Sequence, residues 1–260
     1  MKVCLILTQY LVCYHSQAGD HMDTGVIVDV ETTGINPETD KIIEIGVLQF
    51  MLNEGEQPII TAMYSGLEDP GFPLTEEIKA ITGITDAALK DQKINWSYVA
   101  ELINGSEIAV AHNAAFDRGF LMKRQELTPL DVHWACSMRH IAWDKKKMQT
   151  RALNYLAADH GFVNPFAHRA LFDCATTFRL ISPHLEELIF RSYKREIEIL
   201  AQHAPYEQKD KLKKRSYRWN DKARVWCKVI LESDLEEERS FLESEIYAGR
   251  SMHLEVAVQM

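Results

Sequence analysis

The sequence has no Cys-x-x-Cys pair, no excess of positive charge, no internal repeat and no low-complexity tract. Each absence narrows the function. The five cysteines, Cys4, Cys13, Cys136, Cys174 and Cys227, are odd in number and widely spaced. That pattern argues against both a structural zinc site and a disulfide framework. A reducing cytoplasm is the compartment it fits. A net charge of −9 speaks against a uniformly basic nucleic-acid binder. It does not exclude an enzyme that gathers carboxylates around cations, because bound metal ions reverse the local sign. A polyanionic substrate needs a local basic patch, not a basic average. No stretch reaches the length of a membrane span, so no membrane partner is expected. The nearest is Val3 to Tyr14, between Lys2 and Ser16-Gln17-Ala18, a poor match to a signal peptide. Residues 1–22 read instead as an N-terminal extension ahead of an alternative start at Met22.

What is present is an ordinary globular composition, 46% apolar and 26% charged over 260 residues. That length allows one large domain, or one medium domain with a small appendage, and its core needs no covalent staples. Val26 to Val30 is short, β-branched and apolar, the pattern of a buried strand. A turn at Thr33 to Pro37 leads to strands over 41–50 and 59–64, an antiparallel meander. Helical pieces over 73–90, broken near Gly83, precede a helix over 96–104 that Gly105 closes. A strand over 108–111 and helices over 114–124, 151–160 and 170–188 follow, the last kinked or ended by Pro183. Strands first, then alternating with helices, imply α/β layering around a mixed sheet. From about Phe190 the character changes. A connecting helix over 191–202 is expected, then a basic hairpin around Asn220-Asp221 and an acidic helix over 234–247. The expected division is therefore extension 1–22, main domain 23–190 and connecting helix with a small C-terminal α+β module 191–260.

Asp29 and Glu31 carry the first chemical signal. Residues two apart on a strand share a face. Two carboxylates on one face of an apolar strand cost several kcal/mol unless a cation compensates them. Surface acids on an edge strand are the bland alternative, and the apolar surroundings disfavour it. Asp117, in the first turn of a helix after His112-Asn113, is by itself a common helix-start acid. His168 and Asp173, five apart around another helix start, are equally ordinary alone. As a set they fit hard divalent cations with oxygen ligands, plus a histidine able to take a proton from water.

Val28-Asp29-Val30-Glu31-Thr32-Thr33-Gly34 resembles the first motif of the DEDD exonuclease superfamily. Ala111-His112-Asn113-Ala114-Ala115-Phe116-Asp117 resembles the second. His168-Arg169-Ala170-Leu171-Phe172-Asp173 resembles the third, in its histidine-containing DEDDh form. The order matches, and the likeness spans about Gly25 to Leu188. Within the superfamily the chain is similar to bacterial exonuclease X and to the epsilon proofreading subunit of DNA polymerase III. The resemblance implies a ribonuclease-H-like fold with a five-stranded mixed sheet flanked by helices. It implies removal of 5′-mononucleotides from a free 3′ end, DNA more than RNA, with two Mg²⁺ or Mn²⁺ ions. By the same resemblance Asp29, Glu31 and Asp173 hold the first ion, and Asp29 with Asp117 the second. His168 is the general base, and Thr32, Thr33 and Asn113 lie by the terminal nucleotide.

Three alternatives compete. One is an RNA-trimming enzyme of the ribonuclease T or oligoribonuclease kind, and another is a polymerase proofreading subunit. The third is a non-catalytic nucleic-acid-binding scaffold. Outside the motifs, residues 207–228 hold nine basic residues against three acidic, interleaved with Tyr217, Trp219 and Trp226. Nucleic-acid binding and a solvated helix face with a small aromatic core explain that stretch equally. Lys145-Lys146-Lys147 reads as a solvated loop run, and Cys174 as a buried structural cysteine.

Overall fold

The computed structural model describes residues 23–52, 57–128, 130–146, 148 and 150–258. The extension expected over 1–22 lies outside them, as does Lys147. The chain forms two compact units. The first runs to Ser137 and takes in Met148–Pro183; the second joins Met138–Lys147 to His184–Met260. The boundary thus falls at Pro183 instead of near Phe190, and a short central segment belongs to the second unit.

The first unit is built on a five-stranded sheet in the order β3-β2-β1-β4-β5. β1 (Asp23–Thr32), β2 (Ile42–Leu52) and β3 (Ile59–Leu67) form the antiparallel meander. β4 (Ile108–Ala111) and β5 (His133–Cys136) add to it in parallel. This is the mixed five-stranded sheet flanked by helices that the resemblance implied. Between β3 and β4 lie α1 (Glu76–Thr82), α2 (Asp86–Leu89) and α3 (Trp96–Asn104). The Thr75 and Thr85 hydroxyls cap the first two by accepting from Ile78 N and Ala88 N. Gly83, at φ +70°, ends α1 as a left-handed cap.

β1 is central, and its two faces have different fates. Val26, Val28 and Val30 turn to one side, where they pack with Val99, Ile103, Phe120 and Leu121. Those partners belong to α3 and to α4 (Ala114–Leu121). Asp29 and Glu31 therefore turn to the other side. After α5 (Leu153–Asp159), α6 (Ala170–Ile181) packs there against β1 and β2.

A single glycine makes that approach possible. Gly46 of β2 pairs directly with Asp29. A Cβ at Gly46 would meet the Ala170 carbonyl carbon and the Leu171 nitrogen at 2.4 Å each, so the first peptide of α6 rests on it. Gly46→Ala should cost about 1–3 kcal/mol by overpacking. Because the displaced backbone carries His168 and Asp173, nucleotide release should also fall. Denaturant melts and hydrolysis assays on that variant check both.

The second unit is a small α+β module. Pro183 lies in a 3₁₀ turn after α6, and α7 (Leu185–Ser192) resumes beyond it. β6 (Glu196–Gln202), α8 (Lys209–Lys214), β7 (Arg218–Asn220), β8 (Val225–Leu231), α9 (Leu235–Phe241), a π-helical stretch (Leu242–Tyr247) and β9 (His253–Val258) complete it. Its antiparallel sheet runs β7-β8-β6-β9. Ile197, Ile199, Ala201, Trp226 and Leu212 are part of its core. The connecting helix expected over 191–202 is a correction: only its first residues are helical, and Glu196–Gln202 is a strand. Glu196-Ile197-Glu198-Ile199 alternates with period two, which places both isoleucines in the core and both acids outside it. β5 and β9 were not anticipated as strands.

Candidate metal centre

β1 ends in a register shift between Glu31 and Thr32, a bulge after which Thr32 still pairs with Ile42 of β2. Just before that shift, Asp29 and Glu31 face α6. Asp173, in the first turn of α6, faces back. One carboxylate oxygen from each of Asp29, Glu31 and Asp173 lies within 4.8 Å of the others. Asp117 approaches from the first turn of α4 and is buried, its Oδ1 accepting from Val30 N at 3.1 Å. The backbone between Asp29 and Glu31 thus holds the fourth acid in place.

Without a cation this arrangement is electrostatically unfavourable. Burial raises Asp29 well above the usual carboxylate range, and Asp117, Asp173, Glu31 and Glu44 add to it in that order. Glu31 is pushed up to about 8, first by burial, then by Asp173, Glu44 and Asp117, with Arg169 opposing. Asp117 rises to about 7 by burial, against the Val30 N–H. Asp173 rises to about 6 by burial, opposed by the Arg169 N–H and by His168. Clustered oxygen donors that resist ionisation fit a hard divalent ion, which would replace protons as their counter-charge.

His168 sits just ahead of α6 with φ +63°, a left-handed backbone that non-glycine residues seldom adopt. Its imidazole is exposed and near enough to Asp173 to favour the ionised carboxylate. The loop is fixed on both sides. Asp173 Oδ2 accepts from Arg169 N at 3.0 Å, and Asn164 Nδ2 donates to Asp173 Oδ1 at 3.0 Å. The Arg169 guanidinium then grips buried Glu44 through Nε and Nη2, at 3.0–3.2 Å. Glu44 also accepts from Ala170 N at 3.1 Å. Glu44 is paired with Glu31 across β1 and β2, so one ion pair ties the His168 loop to the strand beside the carboxylates.

Thr32 and Thr33 flank the site differently from Asn113. Thr32 is buried, and its hydroxyl donates to Gly34 O. The Thr33 hydroxyl accepts from Lys41 N at 3.0 Å. Both hydroxyls therefore build the turn after β1. Asn113, at φ +83°, is exposed and makes no side-chain cap to α4. Its neighbour His112 is held between Ser137 Oγ (2.7 Å) and Arg151 O (2.8 Å). Burial pushes His112 down to about 4, so it is neutral and serves as a bracket between three segments. Cys174 is buried, with Sγ donating to Gly46 O at 3.3 Å, in keeping with a structural cysteine.

Glu44, Asn164, Gly46 and His112 escaped the sequence reading. Glu44 had a usable signal, a lone acid inside the apolar run Ile42 to Val47. Asn164 had none, because it reaches Asp173 only through the loop's path.

An exonuclease family model, RNase T, matches residues 26–181. The chain belongs to this family, within the DEDDh 3′-5′ exonuclease superfamily. It is 29% identical over 173 residues to the DNA polymerase III subunit epsilon of Aquifex aeolicus, covering 65% of this chain and 83% of that one. It is 30% identical over 192 residues to the PolC-type DNA polymerase III of Clostridium perfringens, where the match covers 71% of this chain but 12% of the polymerase. Two solved structures share the fold. An Escherichia coli ExoI–single-stranded DNA complex superposes with TM-score 0.53 at 15% identity, over 70% of this chain and 48% of that one. The nuclease domain of 3′hExo bound to rAMP gives 0.51 at 20%, over 65% and 95%.

Proposed function

We propose that the chain is a metal-dependent 3′-5′ exonuclease that hydrolyses DNA, preferring single-stranded ends, and releases 5′-mononucleotides. The observation that carries this is the convergence of Asp29, Glu31 and Asp173 within 4.8 Å on one sheet face, with buried Asp117 behind them. Asp29, Glu31 and Asp173 would hold one Mg²⁺ or Mn²⁺ ion, and Asp29 with Asp117 a second. Such a pair supplies charge stabilisation for the attacking and leaving oxygens of a phosphodiester.

The protein's own groups do the rest. His168, exposed on its left-handed hinge beside Asp173, takes the proton from the attacking water. Arg169 and Glu44 keep the imidazole at that place, and Asn164 orients the Asp173 carboxylate. The turn at Thr32 and Thr33 shapes the seat of the terminal nucleotide, and the uncapped amide of Asn113 offers it a hydrogen bond. The epsilon and PolC-type relatives are named for DNA polymerase III, which supports DNA over RNA. The free cysteines Cys136, Cys174 and Cys227 fit a reducing cytoplasm. Among the described residues no helix is long and apolar enough to cross a membrane.

Matched single-stranded DNA and RNA oligonucleotides, labelled at the 5′ end and digested with Mg²⁺ or Mn²⁺, test the reading. A ladder shortening from the 3′ end, faster on DNA, is the expected result. Faster trimming of RNA would replace the DNA assignment, and no cleavage of either would overturn the enzyme.

A further inference from the structure

The basic stretch of the second unit looks uniform in sequence, and the fold sorts it. Arg215 and Lys228 converge on buried Glu238 of α9, at 3.4 and 2.9 Å. Lys211 pairs with Glu245 at 2.9 Å. Lys209 lies over the Tyr206 ring and donates to its hydroxyl. These four cations hold the module together. The other five, Lys213, Lys214, Arg218, Lys222 and Arg224, are all exposed, and none pairs with a carboxylate among the described residues.

The hairpin sets where Arg218, Lys222 and Arg224 project. β7 is the edge strand, and Trp219 pairs there with Trp226 of β8. Their rings meet edge-on at 5.6 Å, which seats Trp219 while leaving it 45% exposed. Arg218 precedes it on the opposite face of the same strand. At the tip, Asn220 Oδ1 accepts from Lys222 N and Ala223 N. That Asx turn, closed by Arg224 at φ +53°, presents Lys222 and Arg224 to solvent. Cations alone on a short edge strand would only discourage edge-to-edge pairing. An exposed tryptophan among them does not serve that purpose and adds an aromatic face.

We propose that the β7–β8 hairpin is a binding surface for single-stranded nucleic acid. Trp219 stacks on a base, and Arg218, Lys222 and Arg224 contact phosphates. In a chain of net charge −9, three exposed cations on the hairpin that carries an exposed aromatic, none paired with a carboxylate among the described residues, are a local complement to a polyanion. The choice of nucleic acid among polyanions rests on the exonuclease reading of the first unit.

The test is binding of the full chain to a fluorescent single-stranded oligonucleotide in EDTA, across a salt series, so that cleavage plays no part. Trp219→Ala should weaken binding about tenfold, within the range of one lost base stack. Arg218→Ala with Arg224→Ala should weaken it further and flatten the log-log salt slope by about 1.4, at about 0.7 per lost contact. Lys211→Ala, which removes a cation already paired with Glu245, should change the slope little. If Trp219→Ala disturbs the module's melting, the double arginine variant decides, because both positions are exposed. Unchanged affinity and slope in that variant would overturn the proposal. So would wild-type binding to phosphatidylserine vesicles without binding to the oligonucleotide. A chain that bound normally in EDTA but cleaved nothing with metal would sink the enzymatic reading and leave this surface standing.

Discussion

Asp29→Asn should lower the rate of nucleotide release by about three orders of magnitude and at the same time raise the melting temperature of the metal-free protein. The two effects share a cause. Asp29 is half-buried among Asp117, Asp173, Glu31 and Glu44, so its charge opposes folding unless a cation offsets it. The amide keeps the shape and removes the charge. What it loses is the ligand common to both proposed metal positions, and metal stabilisation of a phosphoryl transition state is worth several kcal/mol, at about 1.4 kcal/mol per decade. His168→Ala separates the roles. It should slow release about 10²–10⁴-fold, the span of a lost general base, and leave the metal-induced rise in melting temperature intact. Hydrolysis of a labelled single strand and thermal melts with EDTA or Mn²⁺ read both variants. Wild-type turnover in Asp29→Asn would end the proposed mechanism, and a metal-induced shift lost in His168→Ala would remove the distinction between base and ligand.

The second large effect is on stability against pH. Glu31, Asp117 and Asp173 sit at about 8, 7 and 6 in the folded chain, raised from 4.5, 3.8 and 3.8. Between those two sets of values the folded state holds more protons than the unfolded state. Stability of the metal-free protein therefore falls as pH rises from about 4 to about 8, then levels off as far as these groups are concerned. Glu196 acts in the opposite sense at lower pH. His140 beside it and the Arg139 guanidinium at 2.8 Å hold it below its usual range, so its contribution is lost on acidification. Added Mg²⁺ or Mn²⁺ should reverse the fall, because the ions compete with protons for the same oxygens. A metal concentration a hundredfold above its Kd stabilises the folded state by about 2.7 kcal/mol. The metal-induced gain should grow from pH 5 to pH 8 and be largely lost in Asp29→Asn. Calorimetric melts at several pH values with and without metal measure it. A gain independent of pH would show that the carboxylates do not exchange protons for metal.

The parts of the site that could be read in the sequence follow a local rule. Asp29 and Glu31 are legible because strand periodicity puts them on one face of an apolar run, where charge is costly. Asp117, His168 and Asp173 have no such local mark, and only the motifs around them single them out. The supporting groups are harder still. Glu44 reaches Arg169 across 125 positions of sequence, and the Asn164 bond to Asp173 depends on the loop's path. Gly46 looks like any glycine in a strand until α6 rests on it.

The same division holds for the fold. β1 and β2 announce themselves through continuous apolar runs, and the helix stops through Gly83, Gly105 and Gly161. The length and charge of β6 suit either helix or strand, and only its pairing with β8 and β9 selects the strand. β5 is four residues long, too short to show a period. The sequence by itself determined the family, the central strand and the set of acids, since these depend on residue type and near-neighbour spacing. The tertiary structure alone decided which carboxylates meet, what fixes the His168 loop and which cations of the second unit are spent internally. Those outcomes depend on groups far apart in the chain, and their energies exist only once the backbone brings them together.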